Sequence, residues 1–379
     1  MEISEIEDYN VLEDSKTWWN NLLLRSLDNN VFLTHEWLSA WWKHFGNGRR
    51  LKIFIGKDNG ETVFIAPMML STYTLPGIKL RKLEFIATPF SDYNVFLVTD
   101  HESATKAAKQ LFQIIQDRFA QADCIELEEV PEDSHTMKIL QTIQTDGSKT
   151  CSSIVNVCPY ITLPDCCEAF LQHIGPNMRR NLKRWERQAL NDYKLDFVTY
   201  NKIGDVKEAM NTFFQLHEKR WSSRNESGIF SNNINRDFHI QVAEDFAEKE
   251  QLALFFLTFN GEPVSAIYSY EYNNKLYAYQ SGFDPDYQMY HPGYLAFNGL
   301  IRYGVQKGLR EFDFMRGNEE YKTRWKTQAR RNLEFRILKN TCKARLYNWF
   351  ASNRSLSCLS RQIGKKVCVE GAQNTSIPT

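Results

Sequence analysis

The stretch Tyr277 to Trp325, YAYQSGFDPDYQMYHPGYLAFNGLIRYGVQKGLREFDFMRGNEEYKTRW, constrains the fold more than any other part of the chain. It reads as an apolar strand ending at Gly282, a polar loop from Phe283 to His291, a helix opened by Pro292 and closed by Gly308, and a second strand at Glu311 to Met315. Proline suits the first helical turn, where its missing N–H would have no intrahelical partner. Two strands joined through one helix lie parallel, and the crossover is right-handed. The loop therefore falls at the carboxyl end of a strand and the amino end of a helix. Free backbone N–H groups and the positive helix end favour an anion such as a phosphate there.

At 379 residues the chain suits two domains of about 150 to 180 residues each. The 46 basic and 46 acidic side chains cancel, so the whole-chain field points to no polyanionic partner and any charged site is local. The eight cysteines form no C-x-x-C pair and no metal-ligand spacing, so no metal is expected, and scattered thiols suggest a reducing cytosol. The acidic start MEISEIEDYN and the lack of any 18-residue apolar run predict neither signal peptide nor membrane span.

Five tryptophans, Trp18, Trp19, Trp37, Trp41 and Trp42, recur at helical spacing early in the chain. Either they fill a bulky core or they form a stacking platform for bases or sugars; the core is the simpler expectation. From Leu51 to Leu70 two apolar runs flank Asp58-Asn59-Gly60, a hairpin signal because Asn-Gly accommodates positive φ. Strands follow at Lys82 to Ala87 and Tyr93 to Val98, a helix at about Glu102 to Ala120, and a strand at Cys124 to Glu128. The second half gives a helix at about Pro176 to Asn191, a strand at Leu195 to Thr199, and helices near Val206 to Trp221 and Asn235 to Lys249. LALFFLTF, Asn260-Gly261, VSAIYSYEY, Asn273-Asn274 and LYAYQSG then lead into the Pro292 helix and EFDFM. Hairpin, strand, helix, strand thus occurs twice, at Leu51 to Glu128 and at Leu252 to Met315, as internal duplication would give. Asp100-His101-Glu102-Ser103 places carboxylates at the first crossover-helix start, whereas Tyr290-His291-Pro292-Gly293 has no acid nearer than Asp286. Only the second copy offers an anion seat.

This element order resembles the GCN5-related N-acetyltransferase (GNAT) fold. NMRRNLKRWERQ, L-H-x-x-R-W at Leu216 to Trp221, G-F-D-P at Gly282 to Pro285, H-P-G at 291 to 293 and D-F-x-R-G-x-x-x-Y-K-x-x-W from Asp313 to Trp325 are together similar to the CelD-like acetyltransferases, relatives of the FemAB aminoacyltransferases. The resemblance covers about residues 30 to 338. It implies an α/β protein of two GNAT-like domains, each a mixed, mostly antiparallel sheet with a strand-helix-strand crossover. The domains expected are a degenerate one at 1–155, a donor-binding one at 156–338, and a basic amphipathic helix and tail at 339–379. The implied activity is N-acyl transfer from acetyl-CoA or another acyl-CoA to an amine on a small molecule, saccharide or peptide, in polysaccharide or envelope biosynthesis. FemAB kinship implies aminoacyl-tRNA as the alternative donor, and a non-catalytic envelope-assembly protein is the reading of another class.

In such folds the two parallel strands splay, and the pantetheine arm pairs with the exposed edge of the first, here Tyr277 to Gly282. Tyr279, Gln280 and Gly282 on that strand, with Gln288, His291, Gly293 and Tyr294 at the corner, are the implied donor contacts. The usual Q/R-x-x-G-x-G/A loop is matched by Gln288 and Gly293, while His291 replaces the middle glycine and Pro292 removes a backbone donor. Catalysis is mostly positioning plus one proton transfer. Asp313, Glu319, Glu320 or His217 is the candidate base, and Tyr321 the candidate proton donor to a leaving thiolate. Arg220 with Trp221, and Arg316 with Lys322 and Trp325, are candidate anchors for a substrate carboxylate or phosphate. Arg180 belongs to a basic stripe with Arg179, Lys183, Arg184 and Arg187 that would steer phosphates or tRNA. Asp313 is alternatively a strand-end carboxylate paired with an arginine, and Trp325 plain packing. From Lys339 to Lys366 the chain has seven basic residues and no acid, with apolar residues at near-helical spacing. Such a tail would dock on the body or lie peripherally on the inner membrane face, and the expected location is the cytoplasm.

Overall fold

The computed structural model describes residues 1–75, 78–117, 122–143, 149–200 and 203–352. In chain order come β1 (Glu2–Ile6), α1 (Tyr9–Glu13), α2 (Lys16–Leu23), α3 (His35–Phe45), β2 (Arg50–Asp58), β3 (Glu61–Leu75), β4 (Ile78–Phe85), β5 (Leu97–Val98), α4 (His101–Asp117), β6 (Cys124–Pro131), α5 (His135–Gln141) and β7 (Lys149–Thr162). Next are α6 (Cys167–His173), α7 (Pro176–Asp192), β8 (Leu195–Tyr200), α8 (Val206–Ser222), α9 (Asn233–Ala247), β9 (Leu252–Phe259), β10 (Glu262–Tyr272), β11 (Lys275–Phe283), α10 (Pro292–Gln306), β12 (Glu311–Asp313), α11 (Glu320–Thr323), β13 (Gln328–Leu338) and α12 (Cys342–Ser352).

The chain forms two units, Met1–Asn156 with the chain from Arg331 on, and Val157–Arg330. Residues 331–338 and α12 thus belong with the first unit, not with an expected 156–338 domain or a separate tail. The cause is pairing, because β13 runs antiparallel to β6 from Asn332↔Pro131 to Leu338↔Cys124. Most of the basic tail lies outside the described residues.

In the first unit β1, β2, β3, β4, β6 and β13 lie side by side in that order. The second has β8, β9, β10, β11, β12 and the end of β7 in the equivalent order. The duplication expected from the sequence is present, down to a parallel pair joined by a helix in each: Lys82↔Cys124 in one, Leu276↔Phe312 in the other. This is a mixed α/β, GNAT-like fold. Positive φ at Asn59 and Gly60, at Asn260 and Gly261, and at Asn273 and Asn274 makes the tight hairpin turns those pairs predicted. The expected strand at Tyr93 to Val98 shrinks to the two-residue β5.

Each unit has its own core. Trp19, Trp37 and Trp41 are fully buried, with Trp37 edge-on to Phe32 at 4.9 Å; they serve as core rather than as a stacking platform. On the β4–β6–β13 face, Glu126 is bonded to Lys82 at 2.6 Å, to Arg336 at 2.7 Å and to the Tyr347 hydroxyl of α12 at 2.8 Å. Glu126, Glu128 and Glu334 bring oxygens within 4.8 Å of one another, but for Glu126 the neutralising charges are the neighbouring lysine and arginine. Asp100 accepts the Ser103 N–H at 2.8 Å, so the start of α4 is filled by its own carboxylate. No side chain caps α10.

Candidate active site

Strands β11 and β12 pair over three residues, Lys275↔Glu311, Leu276↔Phe312 and Tyr277↔Asp313, and then part. β11 continues along β10 to Phe283, with a bulge where the register passes from Tyr268↔Gln280 to Ser269↔Ala278. A bulge bends its strand and strengthens the local twist. The backbone after Asp313 follows β7 instead, with Phe314 N–H donating to Pro159 O and Gly317 N–H to Val157 O, both at 2.9 Å. Met315 and Gly317 turn this segment through left-handed backbone, at φ 60° and 114°. Lys322 Nζ fixes it by donating to the carbonyls of Met315, Arg316 and Gly317 at 3.2, 2.8 and 3.3 Å.

Beside the separated end of β11 lies a cavity of about 250 Å³. Its walls are Arg220 from α8 and Arg224 just after it, Ser265 and Ile267 from β10, Ser281, Gly282 and Phe283 from β11, Gln288 and His291 to Tyr294 at the start of α10, Phe297, and Tyr321 from α11. No carboxylate among the described residues lines it. At its floor α8 touches β11 closely: a Cβ on Gly282 would sit 2.4 Å from His217 N. A larger cavity of about 650 Å³, by β8 and the start of α8, holds Asp196, Asp205 and Glu208, the wrong sign for a phosphate.

The corner before α10 is built by Pro292 at the first helical position and His291, in left-handed conformation, as N-cap. Tyr294 and Leu295 return their N–H groups to His291 O at 3.0 and 3.2 Å. With Pro292 donating nothing, Gly293 N–H is the donor left to a ligand among the described residues. His291 stacks on Trp185 of α7 with centroids 4.2 Å apart. Burial, then the nearby Arg184 and Arg324, lower the His291 pKa, so its imidazole is neutral at pH 7.

Arg220 donates from Nη1 to Ser281 O at 2.9 Å and to Ser281 Oγ at 2.7 Å, on the edge of β11 that faces away from β10. Its Nε is buried and has no acceptor. Burial, then Arg224, lower its pKa. Tyr321 has its pKa raised by burial and by Glu319, so it holds its proton across the physiological range.

Of the residues singled out in the sequence, Arg220, Gly282, Gln288, His291, Gly293, Tyr294 and Tyr321 converge on the cavity. The others do not. Asp313 is fully buried; its Oδ2 faces Arg330 Nη1 at 3.2 Å and its Oδ1 accepts Met315 N–H at 2.7 Å, so the carboxylate is spent on structure. His217 is buried, its Nε2 accepts the Trp221 indole N–H at 2.9 Å, and burial followed by Arg220 pushes its pKa down to about 3. That removes it from the candidate bases. Glu320 pairs with Arg324 at 2.8 Å and Glu319 with Lys322 at 2.9 Å. Lys322 and Arg316 form the loop scaffold rather than an anion site, and Trp325 packs on Phe170. Tyr279 is buried and Gln280 lies beside His217. Arg180 is exposed on α7 and bonds Asn177 at 2.8 Å. Arg224, Ser281 and Phe297 were not picked out from the sequence; Arg224 was visible as the next turn of the Arg220 face.

Residues 176–323 match the acetyltransferase (GNAT) domain family. This stretch, in the second unit, is an acyltransferase domain of GNAT type. Among solved structures it is similar to FemX, at 11% identity over 90% of this chain and 98% of that one, with a TM-score of 0.62. L-PGS from Bacillus licheniformis is 13% identical over 96% and 99% of the two chains, with a TM-score of 0.54. The C-terminal domain of a putative lysylphosphatidylglycerol synthetase from Agrobacterium fabrum is 12% identical over 90% and 96%, with a TM-score of 0.52. At these identities the likeness is one of fold. No curated protein matches the sequence. Among the described residues no helix is long and apolar enough to cross a membrane.

Proposed function

We propose that the second unit transfers an acyl group from a phosphate-bearing donor, an acyl-CoA thioester, to an amine, in line with the CelD-like resemblance of its motifs. The observation that carries this reading is the parting of β11 from β12 after Tyr277, beside a cavity whose α10 corner is uncapped and free of acid. The donor diphosphate rests at Gly293 and His291, near Arg184 and Arg324, and the thioester reaches into the cavity. The amine nitrogen attacks the thioester carbon as the C–S bond breaks. Water takes the nitrogen's proton, and Tyr321 gives its own to the departing thiolate. Tyr321 then regains a proton from that water.

Incubation with acetyl-CoA and a panel of amines, reading free thiol, tests this directly. Amine-dependent thiol release that collapses in Tyr321→Phe supports it; a chain that neither releases thiol nor is stabilised by CoA on heating refutes it. Aminoacyl-tRNA as donor is the second reading, favoured by the exposed stripe Arg180, Lys183, Arg184 and Arg187 on α7 beside α10. The acceptor is a small-molecule, saccharide or peptide amine, and the expected place of action is the cytoplasm or the inner membrane face.

A further inference from the structure

Arg220 is an uncompensated charge. Its guanidinium is half-buried in the cavity wall and bonded through Nη1 to neutral acceptors, the Ser281 carbonyl and hydroxyl. Nε has no acceptor, and no ion pair joins Arg220 or the neighbouring Arg224 to a carboxylate among the described residues. The acid that acts on Arg220 electrostatically, Glu319, is bonded to Lys322 at 2.9 Å. The rings of Trp221 and Phe283 lie 5.9 and 5.6 Å from the guanidinium carbon, so this side of the cavity is apolar and weakly screening. A cation removed from water without an anion is unfavourable, and proteins otherwise pair it. Ser281 holds the fork in place before any ligand arrives, and a planar fork suits a carboxylate through two parallel N–H···O bonds.

We propose that Arg220 is the receptor for a carboxylate on the acceptor, so that the acceptor is an amino acid or peptide bearing both the attacking amine and a free carboxylate. This rests on the acyl-transfer reading above, in which the donor's phosphates take the α10 corner with Arg184 and Arg324, leaving Arg220 and Arg224 for the second substrate. The size of the chamber agrees. About 250 Å³ is at the small end of ligand sites and admits a compact acceptor beside the reacting end of the donor. The same contact sets a second condition. Arg220 already occupies the Ser281 carbonyl on the edge that a pantetheine arm would use, so that carbonyl is not open to the arm.

The test is calorimetric binding of glycylglycine and glycylglycinamide, which share the amine and differ in the carboxylate, with inorganic pyrophosphate as the probe for the donor corner. The full chain is expected to bind the free acid at least about tenfold more tightly than the amide, because a charged hydrogen-bonded pair is lost in the amide. Arg220→Met should abolish that preference and Arg220→Lys keep part of it, while both variants bind pyrophosphate as the parent does, which also shows that they fold. Equal binding of acid and amide by the parent, or binding of neither, overturns the proposal. So does Arg220→Met losing pyrophosphate while keeping the acid preference, which would assign the arginine to the donor. Loss of pyrophosphate binding by the parent with the acid preference intact would instead refute the donor corner and leave the carboxylate receptor standing.

Discussion

At the scale of single residues the cavity is unusual in what it lacks. With no carboxylate on its walls among the described residues, the proposed transfer relies on Tyr321 and water for its proton steps. Burial, then Arg184 and Arg324 beside it, lower the His291 pKa, so the imidazole at the proposed diphosphate seat is uncharged at neutral pH. Acidification through its titration should therefore charge it and tighten pyrophosphate binding, and His291→Gln should abolish that gain; pyrophosphate binding measured against pH reads both. Tyr321→Phe should lower kcat by roughly 10²-fold, the usual size of one acid–base contribution, with little change in melting temperature. A kcat within twofold of the parent would exclude tyrosine as the proton donor. The sequence made Tyr321, Arg220 and the α10 corner visible through spacing and local chemistry. Asp313 and His217, candidate bases from the sequence, are held by Arg330 and Trp221, and Arg330 stands 17 residues beyond Asp313, across a turn that no pattern announces.

Close packing acts at the scale of elements. A Cβ at Gly282 would meet His217 N at 2.4 Å and Leu216 C at 2.6 Å, both backbone, so α8 would have to lift from β11. Gly282→Ala is expected to cost about 1–3 kcal/mol in chemical denaturation and to weaken donor binding. Gly293→Ala meets only Phe283 Cδ1 at 3.8 Å and should be nearly neutral in stability. The Glu126 cluster gives a second test. Burial raises the Glu126 pKa, but Lys82 and Arg336 outweigh it and hold the carboxyl at about 2, against an ordinary value of 4.5. Its contribution is therefore complete above pH 4.5 and disappears as pH falls from 4.5 towards 2, a loss of order 3 kcal/mol that Glu126→Gln should abolish in acid-denaturation curves. This cluster also explains why β13 is hard to read from the sequence. QARRNLEFRIL buries Asn332, Glu334 and Arg336 as well as Phe335 and Ile337 between them, so no half-exposed alternation marks the strand and part of what it buries is charged. β7 gives little pattern either, since most of its residues are partly exposed. The hairpins and crossover helices announced themselves through Asn-Gly turns and apolar runs; the two strands that complete the sheets did not.

At the scale of the whole molecule the two units are built to one plan, and each draws its last strand from an unexpected place. Unit 2 takes the end of β7, which precedes its other strands, and unit 1 takes β13, which follows every other strand of both units. α12 adds Tyr347 over Glu126 and Lys343 on Asp123 at 2.9 Å. Deleting the chain after Leu338 should lower the melting temperature by several degrees, as roughly 1–3 kcal/mol of buried polar contacts in the first unit is lost. KM for either substrate should be unchanged, because every residue lining the cavity lies between Arg220 and Tyr321. A ribosome making this chain releases β13 only when nearly all the rest is already outside. The transferase half thus has all its pieces first, while the amino-terminal half waits with the β6 edge bare, the reverse of the order in which domains usually mature during translation. Nascent chains stalled so that residue 330 has left the exit tunnel while β13 is still inside it should accordingly bind donor while their amino-terminal half is still open to protease.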